Sequence, residues 1–338
     1  MKHLLYIGNK LAHNGANPTA IDTLGPLLEK EGFKISYAST KSNKIMRLLD
    51  MIQTTCFTRK VDYVLIDTYS TTNFWYAFVV SRICYLRNLR YIPILHGGNL
   101  PNRWLTNPKS CRLLFHQAYR NVCPSPYLFQ VFEELVCPNL VLIPNALEGS
   151  HYIFKERTAI EPKLLWVRAF AKLYNPMMAV NVFGQLVKEF PAAELCMVGP
   201  DKDGSLEKTK QLAESLGLKV TFLGQLSKNE WWLLSEQYDI FLNTTHFDNM
   251  PVSVIEAMSL GLGIVSTDVG GIPFLIEASK EGLLVADNDV QGMCNAIKFL
   301  LKNPLAFVDI TKKARDKAAC FEWERVKEKW LTILNNPC

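Results

Sequence analysis

The sequence has no run approaching the roughly 18 apolar residues that a membrane-spanning helix needs. Its longest candidate, Phe74 to Val80, is bounded by Asn73 and by Ser81–Arg82. The opening residues MKHLLYIGNK lack an apolar stretch long enough for a signal peptide and read as a strand. No C-x-x-C pair occurs. Nine cysteines, an odd number, lie scattered at positions 56, 84, 111, 123, 137, 196, 294, 320 and 338, which argues against a disulfide framework and for a reducing compartment. No G-x-G-x-x-G follows the first strand, and no G-x-x-x-x-G-K-[ST] is present, which argues against a P-loop nucleotidase. The six histidines show neither H-E-x-x-H spacing nor a Cys/His cluster, so no metal site is expected. There is no G-x-S-x-G elbow.

What is present is apolar material in quantity. Of 338 residues, 49% are hydrophobic and 20% charged, which excludes a disordered chain and allows two buried cores. The net charge of +5 is unevenly placed: residues 1–150 hold 16 Lys and Arg against 9 Asp and Glu, a balance of +7 that leaves −2 for the rest. A basic first half reads either as a solvated face or as a surface for an anionic partner. Nucleic acid is disfavoured, because the basic residues do not cluster with aromatics along one element. The protein reads as cytoplasmic, with peripheral contact at the inner face of the plasma membrane left open.

Short apolar runs alternate with amphipathic stretches throughout. Strands are expected at His3–Ile7, Lys34–Ala38, Tyr63–Asp67, Tyr91–Leu95, Asn121–Cys123 and Leu140–Ile143. A second series follows at Leu164–Val167, Glu194–Val198, Lys219–Leu223, Ile240–Asn243, Gly263–Ser266 and Gly282–Val285. Helix-like segments lie between them, which implies βαβ units and parallel sheets. The one long polar break, EGSHYIFKERTAIEPK at 148–163, reads as a linker. The expected class is therefore α/β, with two doubly wound Rossmann-like domains facing across a cleft: 1–150, and 160–319. Ligands of such sheets bind beyond the carboxyl ends of the strands.

The chemistry concentrates in YDIFLNTTHFDNMPVSVIEAMSLGLGIVSTDVGGIP, residues 238–273. A strand runs into a polar loop, Pro251 opens a helix carrying Glu256, and Gly261 closes it. The N–H groups at that helix start suit a phosphate or sugar hydroxyls. Gly270–Gly271 are expected to let backbone amides approach a ligand. Asp248 and Glu256, with seven residues between them, place two carboxylates where both can reach one ligand, and carboxylates accept from sugar diols. The plain alternatives are a turn or N-cap aspartate, and a helix-face glutamate paired with a lysine.

This segment resembles the signature of retaining GT-B glycosyltransferases, specifically glycosyltransferase family 4, whose hallmark is Glu-x7-Glu. Further segments are similar to family motifs: HGGN at 96–99, CPSPYLFQVF at 123–132, IPNAL at 143–147, LLWVRAFAKLYNP at 164–176, CMVGPDKDG at 196–204, VTFLGQLS at 220–227 and FEWERVKEKW at 321–330. The resemblance covers nearly the whole chain. It implies a GT-B fold, with an acceptor-binding first domain, a donor-binding second domain, and a C-terminal helix (320–338) packing back on the first.

The implied reaction transfers a sugar, with retention, from a nucleotide diphosphate sugar such as a UDP- or GDP-sugar. The implied acceptor is a glycan, a lipid-linked chain or a glycolipid in polysaccharide or cell-surface glycan biosynthesis, with no metal or other cofactor. Glu256 would hold the ribose. Asp248 would contact the transferred sugar, with backbone help from Asn249, Met250, Pro251 and Val252. Arg168 and Lys172 would face the diphosphate, Gly199 and Gly224 would border the donor, and His96 would orient the acceptor. Gly15 and Asn17 are the best matches to the family's first loop.

The sequence departs from the family pattern in three places. Asp248 stands where the pattern has Glu. Lys172 follows Arg168 by four residues and precedes Leu173 rather than Gly. The first loop reads GNKLAHNGANPT. Two further readings stay open: a catalytically silent nucleotide-sugar-binding partner of another transferase, and a GT-B nucleotide-sugar 2-epimerase. Finally, residues 40–60 place Ile45, Leu48, Leu49, Ile52 and Cys56 at helical spacing among Lys41, Lys44, Arg47, Arg59 and Lys60. They read either as a helix packed on the sheet or as one lying on an anionic membrane.

Overall fold

The computed structural model describes residues 1–11 and 19–335; Gly15 and Asn17 lie outside the described residues. The chain divides into two compact units, Met1–Ala146 with Trp323–Cys338, and Leu147–Glu322.

The first unit is built on six strands: β1 (His3–Ile7), β2 (Lys34–Ala38), β3 (Tyr63–Thr68), β4 (Tyr91–Leu95), β5 (Asn121–Cys123) and β6 (Leu140–Leu142). They form one sheet in the order β2-β1-β3-β4-β5-β6, every pair parallel. The central β3, Tyr-Val-Leu-Ile-Asp-Thr, is buried along its whole length, as a strand covered by helices on both faces must be. The edge strand β2 is only half-buried and tolerates Lys34. The C-terminal helix Trp323–Asn335 belongs to this unit. Its Trp323, Val326, Trp330, Ile333 and Leu334 pack with Leu4, Ile21 and Leu28 in one core. Trp323 Nε1 donates to Glu31 Oε1 at 3.0 Å.

The second unit repeats the plan with β7 (Lys163–Val167), β8 (Glu194–Val198), β9 (Val220–Gly224), β10 (Ile240–Asn243), β11 (Gly263–Thr267) and β12 (Leu283–Val285). Its order is β12-β11-β10-β7-β8-β9, again parallel throughout. All twelve strands lie within a residue or so of the positions that the apolar runs specify.

The polar stretch 148–163 is part of this second unit, not a free linker. Tyr152 is buried there, and Arg157, 3% exposed, is enclosed. The Arg157 guanidinium donates to the carbonyls of Tyr238, Lys155, Leu260 and Ser235 at 2.9–3.0 Å and pairs with Asp239 at 3.1 Å. Sequence polarity marks a loop, but here the charge is an interior anchor, because every donor finds a carbonyl or a carboxylate.

Candidate functional site

In each sheet the chain builds outward one way and then returns to the other side of its first strand. In the second unit that switch lies between β7 and β10, the place where doubly wound sheets bind ligands. Arg168 leaves the end of β7, and the loop Thr244–Pro251 leaves the end of β10.

The loop is fixed by its own threonines. Thr244 Oγ1 accepts from Trp166 Nε1 at 3.0 Å and lies 2.9 Å from the carbonyls of Tyr174 and Asn175. Thr245 Oγ1 donates to Leu173 O at 3.1 Å. Gly270 and Gly271 complete the hold. Gly271 N donates to Asp248 O at 2.8 Å. A Cβ on Gly271 would fall 1.7 Å from Asn249 O, and one on Gly270, at φ +56°, 2.3 Å from Asp248 O. Of the two amides expected to approach a ligand, that of Gly271 is taken by Asp248 O. The pair lets the Asp248–Asn249 backbone approach, and so positions the carboxylate.

Asp248 is bonded through Oδ2 to Arg168 Nη2, and its Oδ1 accepts from Asn249 N at 2.8 Å. Arg168 also lies over the Tyr174 ring, 4.7 Å from its centroid. Burial draws the Arg168 pKa below its ordinary value, with nearby Tyr174 opposing. Its Nε remains buried without a hydrogen-bond partner.

The helix Val252–Ser259 starts directly after Pro251, which is its N-cap in extended conformation rather than its first helical residue. Ser253, in the first turn, holds a second buried orphan: its Oγ has no partner. A helix start offers free N–H groups and the positive end of the dipole. Met250 packs in the hydrophobic core, so only its backbone is available there. Gly261 terminates the helix at φ +80°, where a Cβ would sit 2.5 Å from Lys155 O.

Glu256, one turn further on, is 3% exposed. Its Oε1 accepts from Tyr152 Oη at 2.9 Å and pairs with Lys228 Nζ at 3.0 Å. These two groups offset the cost of burying the carboxylate. Burial, and then the Glu256 charge, push the Tyr152 hydroxyl pKa well up, so it stays a donor. Both contacts, from Tyr152 and from Lys228, fall on Oε1.

The glycines assigned to the donor have structural neighbours. Gly199, at φ +148°, follows β8, and its N–H donates to Gly224 O at 2.7 Å. A Cβ at Gly199 would fall 1.7 Å from Arg168 O, so this residue allows the ends of β7 and β8 to close behind the arginine. Lys172 lies exposed in the turn Lys172–Tyr174, and its backbone N–H donates to Asp203 Oδ2 at 2.9 Å.

His96 lies in the first unit, just past β4. Its Nε2 is 2.8 Å from Asp67 Oδ1, which also accepts from Tyr6 Oη at 3.0 Å. The carboxylate oxygen accepts a hydrogen bond from Nε2–H and so holds the ring in one orientation. The other carboxylate oxygen, Asp67 Oδ2, is buried and unpartnered. It borders a small pocket with Gly8, Asn9, Tyr69 and Asn73 at the β1/β3 switch of that sheet.

Ser253, Tyr152, Lys228 and Asp67 do not emerge from sequence reasoning. Ser253 carried a local signal, a hydroxyl in the first turn of the motif helix. Tyr152 reaches Glu256 across 104 residues, with no pattern that links them.

Residues 153–317 match the family model described as glycosyl transferases group 1. The chain is 27% identical over 158 residues to an uncharacterized glycosyltransferase of Haemophilus influenzae, covering 46% of this chain and 44% of that one. It is 26% identical over 170 residues to the D-inositol 3-phosphate glycosyltransferase of Corynebacterium jeikeium, covering 48% and 41%. The matched stretch thus spans less than half the length of either relative. Anabaena HepE, solved with UDP, is similar in fold, with a TM-score of 0.80 at 16% identity over 99% of this chain and 100% of that one; HepE is also solved with UDP-glucose. The chain has the GT-B fold, and its residues 153–317, which carry Arg168 and Asp248 past strand ends and Glu256 in the helix that follows, match the glycosyl transferases group 1.

Proposed function

We propose that the protein is a retaining glycosyltransferase that moves a sugar from a nucleoside diphosphate sugar to a glycan or lipid-linked acceptor in cell-surface or polysaccharide glycan biosynthesis. The observation that carries this reading is the pair of buried orphans, Arg168 Nε and Ser253 Oγ, at the β7/β10 switch beside a helix start. Two unsatisfied polar groups and a helix dipole suit an anion, and a diphosphate supplies its oxygens. Glu256 Oε2, a turn further along, suits the ribose diol of the same ligand. Asp248 and the backbone of Asn249, Met250, Pro251 and Val252 take the sugar hydroxyls, while Gly199 and Gly224 border the donor and Lys172 adds positive charge at its exposed edge. HepE bound to UDP and to UDP-glucose supports a nucleotide-sugar donor on this fold.

In the reaction the bond from the anomeric carbon to the diphosphate oxygen breaks and one to an acceptor hydroxyl oxygen forms. The hydroxyl proton ends on the departing phosphate. Arg168 and the helix start stabilise the charge that builds on the leaving group, a preorganised electrostatic contribution. His96, aligned by Asp67, orients the acceptor hydroxyl.

Incubation of the purified protein with UDP-, GDP- and ADP-sugars tests this reading, with release of free nucleoside diphosphate as the signal. One donor is expected to be turned over, with Arg168→Ala reducing the rate at least about 100-fold, the scale of losing one charged stabiliser. Release of no nucleotide from any donor, together with no thermal stabilisation by UDP, GDP or ADP, overturns it.

A further inference from the structure

The helix Lys44–Phe57 carries an apolar stripe that the fold does not use. At about 100° per residue, Ile45, Leu49, Ile52 and Cys56 fall on one line. The residues turned into the unit are others: Arg47, Met51 and Thr55. Arg47 is buried because its guanidinium donates to Lys41 O at 2.8 Å, Ser42 O at 2.9 Å and Asn9 Oδ1 at 3.0 Å. These bonds set the roll of the helix, with Leu48 and Met51 beside the sheet core. The amino-terminal half of the stripe is consequently turned outward, with Ile45 72% and Leu49 52% exposed, while Ile52 and Cys56 are half-buried; off the line, Met46 at 54% and Phe57 at 76% widen the exposed apolar face. Of the two readings left open for this helix, packing on the sheet holds for Leu48 and not for Ile45 or Leu49.

Exposed cations frame the stripe. Lys41 and Lys44 stand at one end, and Arg59 and Lys60 at the other. Arg87, from the C-terminal end of the neighbouring helix, reaches Thr58 O at 3.2 Å and adds charge at the second end. The helix itself has a single acidic residue, Asp50. Among the described residues no helix is long and apolar enough to cross a membrane, so any lipid contact made here is peripheral.

We propose that this face is a docking surface for an anionic lipid bilayer. The helix lies in the interface plane, its stripe enters the headgroup–acyl boundary, and the framing lysines and arginines meet lipid phosphates. Charge selects this occupant. A second copy of the chain, joined through the same face by a two-fold axis, would set these cations against their own equivalents. An anionic surface complements all of them at once, and apolar residues with framing cations are the chemistry of an interfacial helix.

The test is co-sedimentation of the full chain with large vesicles of phosphatidylcholine alone, and of phosphatidylcholine with about one-third phosphatidylglycerol, at low and high salt. Binding to the anionic vesicles is expected to exceed binding to the neutral ones by at least about tenfold and to weaken with salt. A variant carrying Ile45→Ser, Leu49→Ser and Phe57→Ser is expected to lose at least about tenfold in partition. A second, with Lys41→Gln, Lys44→Gln, Arg59→Gln and Lys60→Gln, is expected to lose the preference for phosphatidylglycerol. All these side chains are exposed, and an unchanged melting temperature confirms the fold of each variant.

A chain that stays in the supernatant with both vesicle types overturns the proposal, as does undiminished binding by the serine variant. A concentration-dependent dimer that the serine variant abolishes overturns it in favour of a second copy. No donor or acceptor enters the test, so its outcome is separate from that of the proposed reaction.

Discussion

The substitution Glu256→Gln isolates one oxygen-rich contact with little change of shape. Glutamine keeps an acceptor for Tyr152 Oη, while the charge facing Lys228 is removed; Lys228 is half-exposed and recovers hydration. Without ligand, the melting temperature is therefore expected to change by no more than about 2–3 °C, roughly a kcal/mol for a unit of this size. With ligand, the effect is larger. A carboxylate accepting from ribose hydroxyls makes hydrogen bonds worth about 1.5–3 kcal/mol when one partner is charged. A loss near 2.3 kcal/mol corresponds to roughly 50-fold in Kd.

At a nucleotide concentration 100 times the wild-type Kd, bound ligand stabilises by about 2.7 kcal/mol; after a 50-fold loss the same concentration stabilises by only about 0.6 kcal/mol. The assay is thermal unfolding with and without UDP, or whichever diphosphate the wild-type protein selects. The ligand-induced shift should shrink to about a quarter. A full shift in Glu256→Gln, with the ligand-free melting temperature intact, would refute the placement of the ribose at Glu256 Oε2.

Two further outcomes follow from the structure. Arg157→Ala removes a buried guanidinium bonded to four carbonyls and Asp239, and is expected to destabilise by about 3–5 kcal/mol; unfolding midpoints within about 2 °C of wild type would show that the anchor is unimportant. Burial pushes the thiols of Cys84, Cys111 and Cys137 up to about 12, and that of Cys123 higher. These groups are protonated at every pH below that range, so at pH 8 only about one in ten thousand of the first three is thiolate. Iodoacetamide at pH 8 should therefore modify exposed Cys320 in the native protein and reach these four only after unfolding, and equal labelling of the five would contradict the burial.

The strands were legible because parallel, doubly covered strands must be apolar on both faces, and runs such as Tyr63–Thr68 have no other use. The Asp248–Glu256 segment was legible because its spacing, proline and closing glycine are local. The roll of the helix Lys44–Phe57 was not. Its limits could be read, but the inward face is set by Arg47 bonding to three partners, one of them 38 residues away, and hydrophobicity alone selects the opposite stripe. The second role of Gly270–Gly271 was hidden for a related reason. A glycine that admits a ligand and one that admits another loop look the same until the Asp248 and Asn249 carbonyls are in place. Asp67 is one acidic residue in a strand, and only the fold brings it to His96 and Tyr6.

The first unit holds residues from both sides of the second, and this fixes the order in which a growing chain can finish. A ribosome has supplied all of Leu147–Glu322 before it adds the helix Trp323–Asn335. The second unit can therefore close its cores while the first still presents Leu4, Ile21, Leu28 and Tyr63 without the tryptophans that cover them. Folding of such chains ordinarily proceeds from the amino end. Here the part begun first is completed last, and an uncovered apolar face accompanies translation of the 176 intervening residues, an interval of about 9–35 s at typical elongation rates. Release of the last helix, by a late stop or by proteolysis within Trp323–Asn335, would return the protein to that sticky, unfinished state.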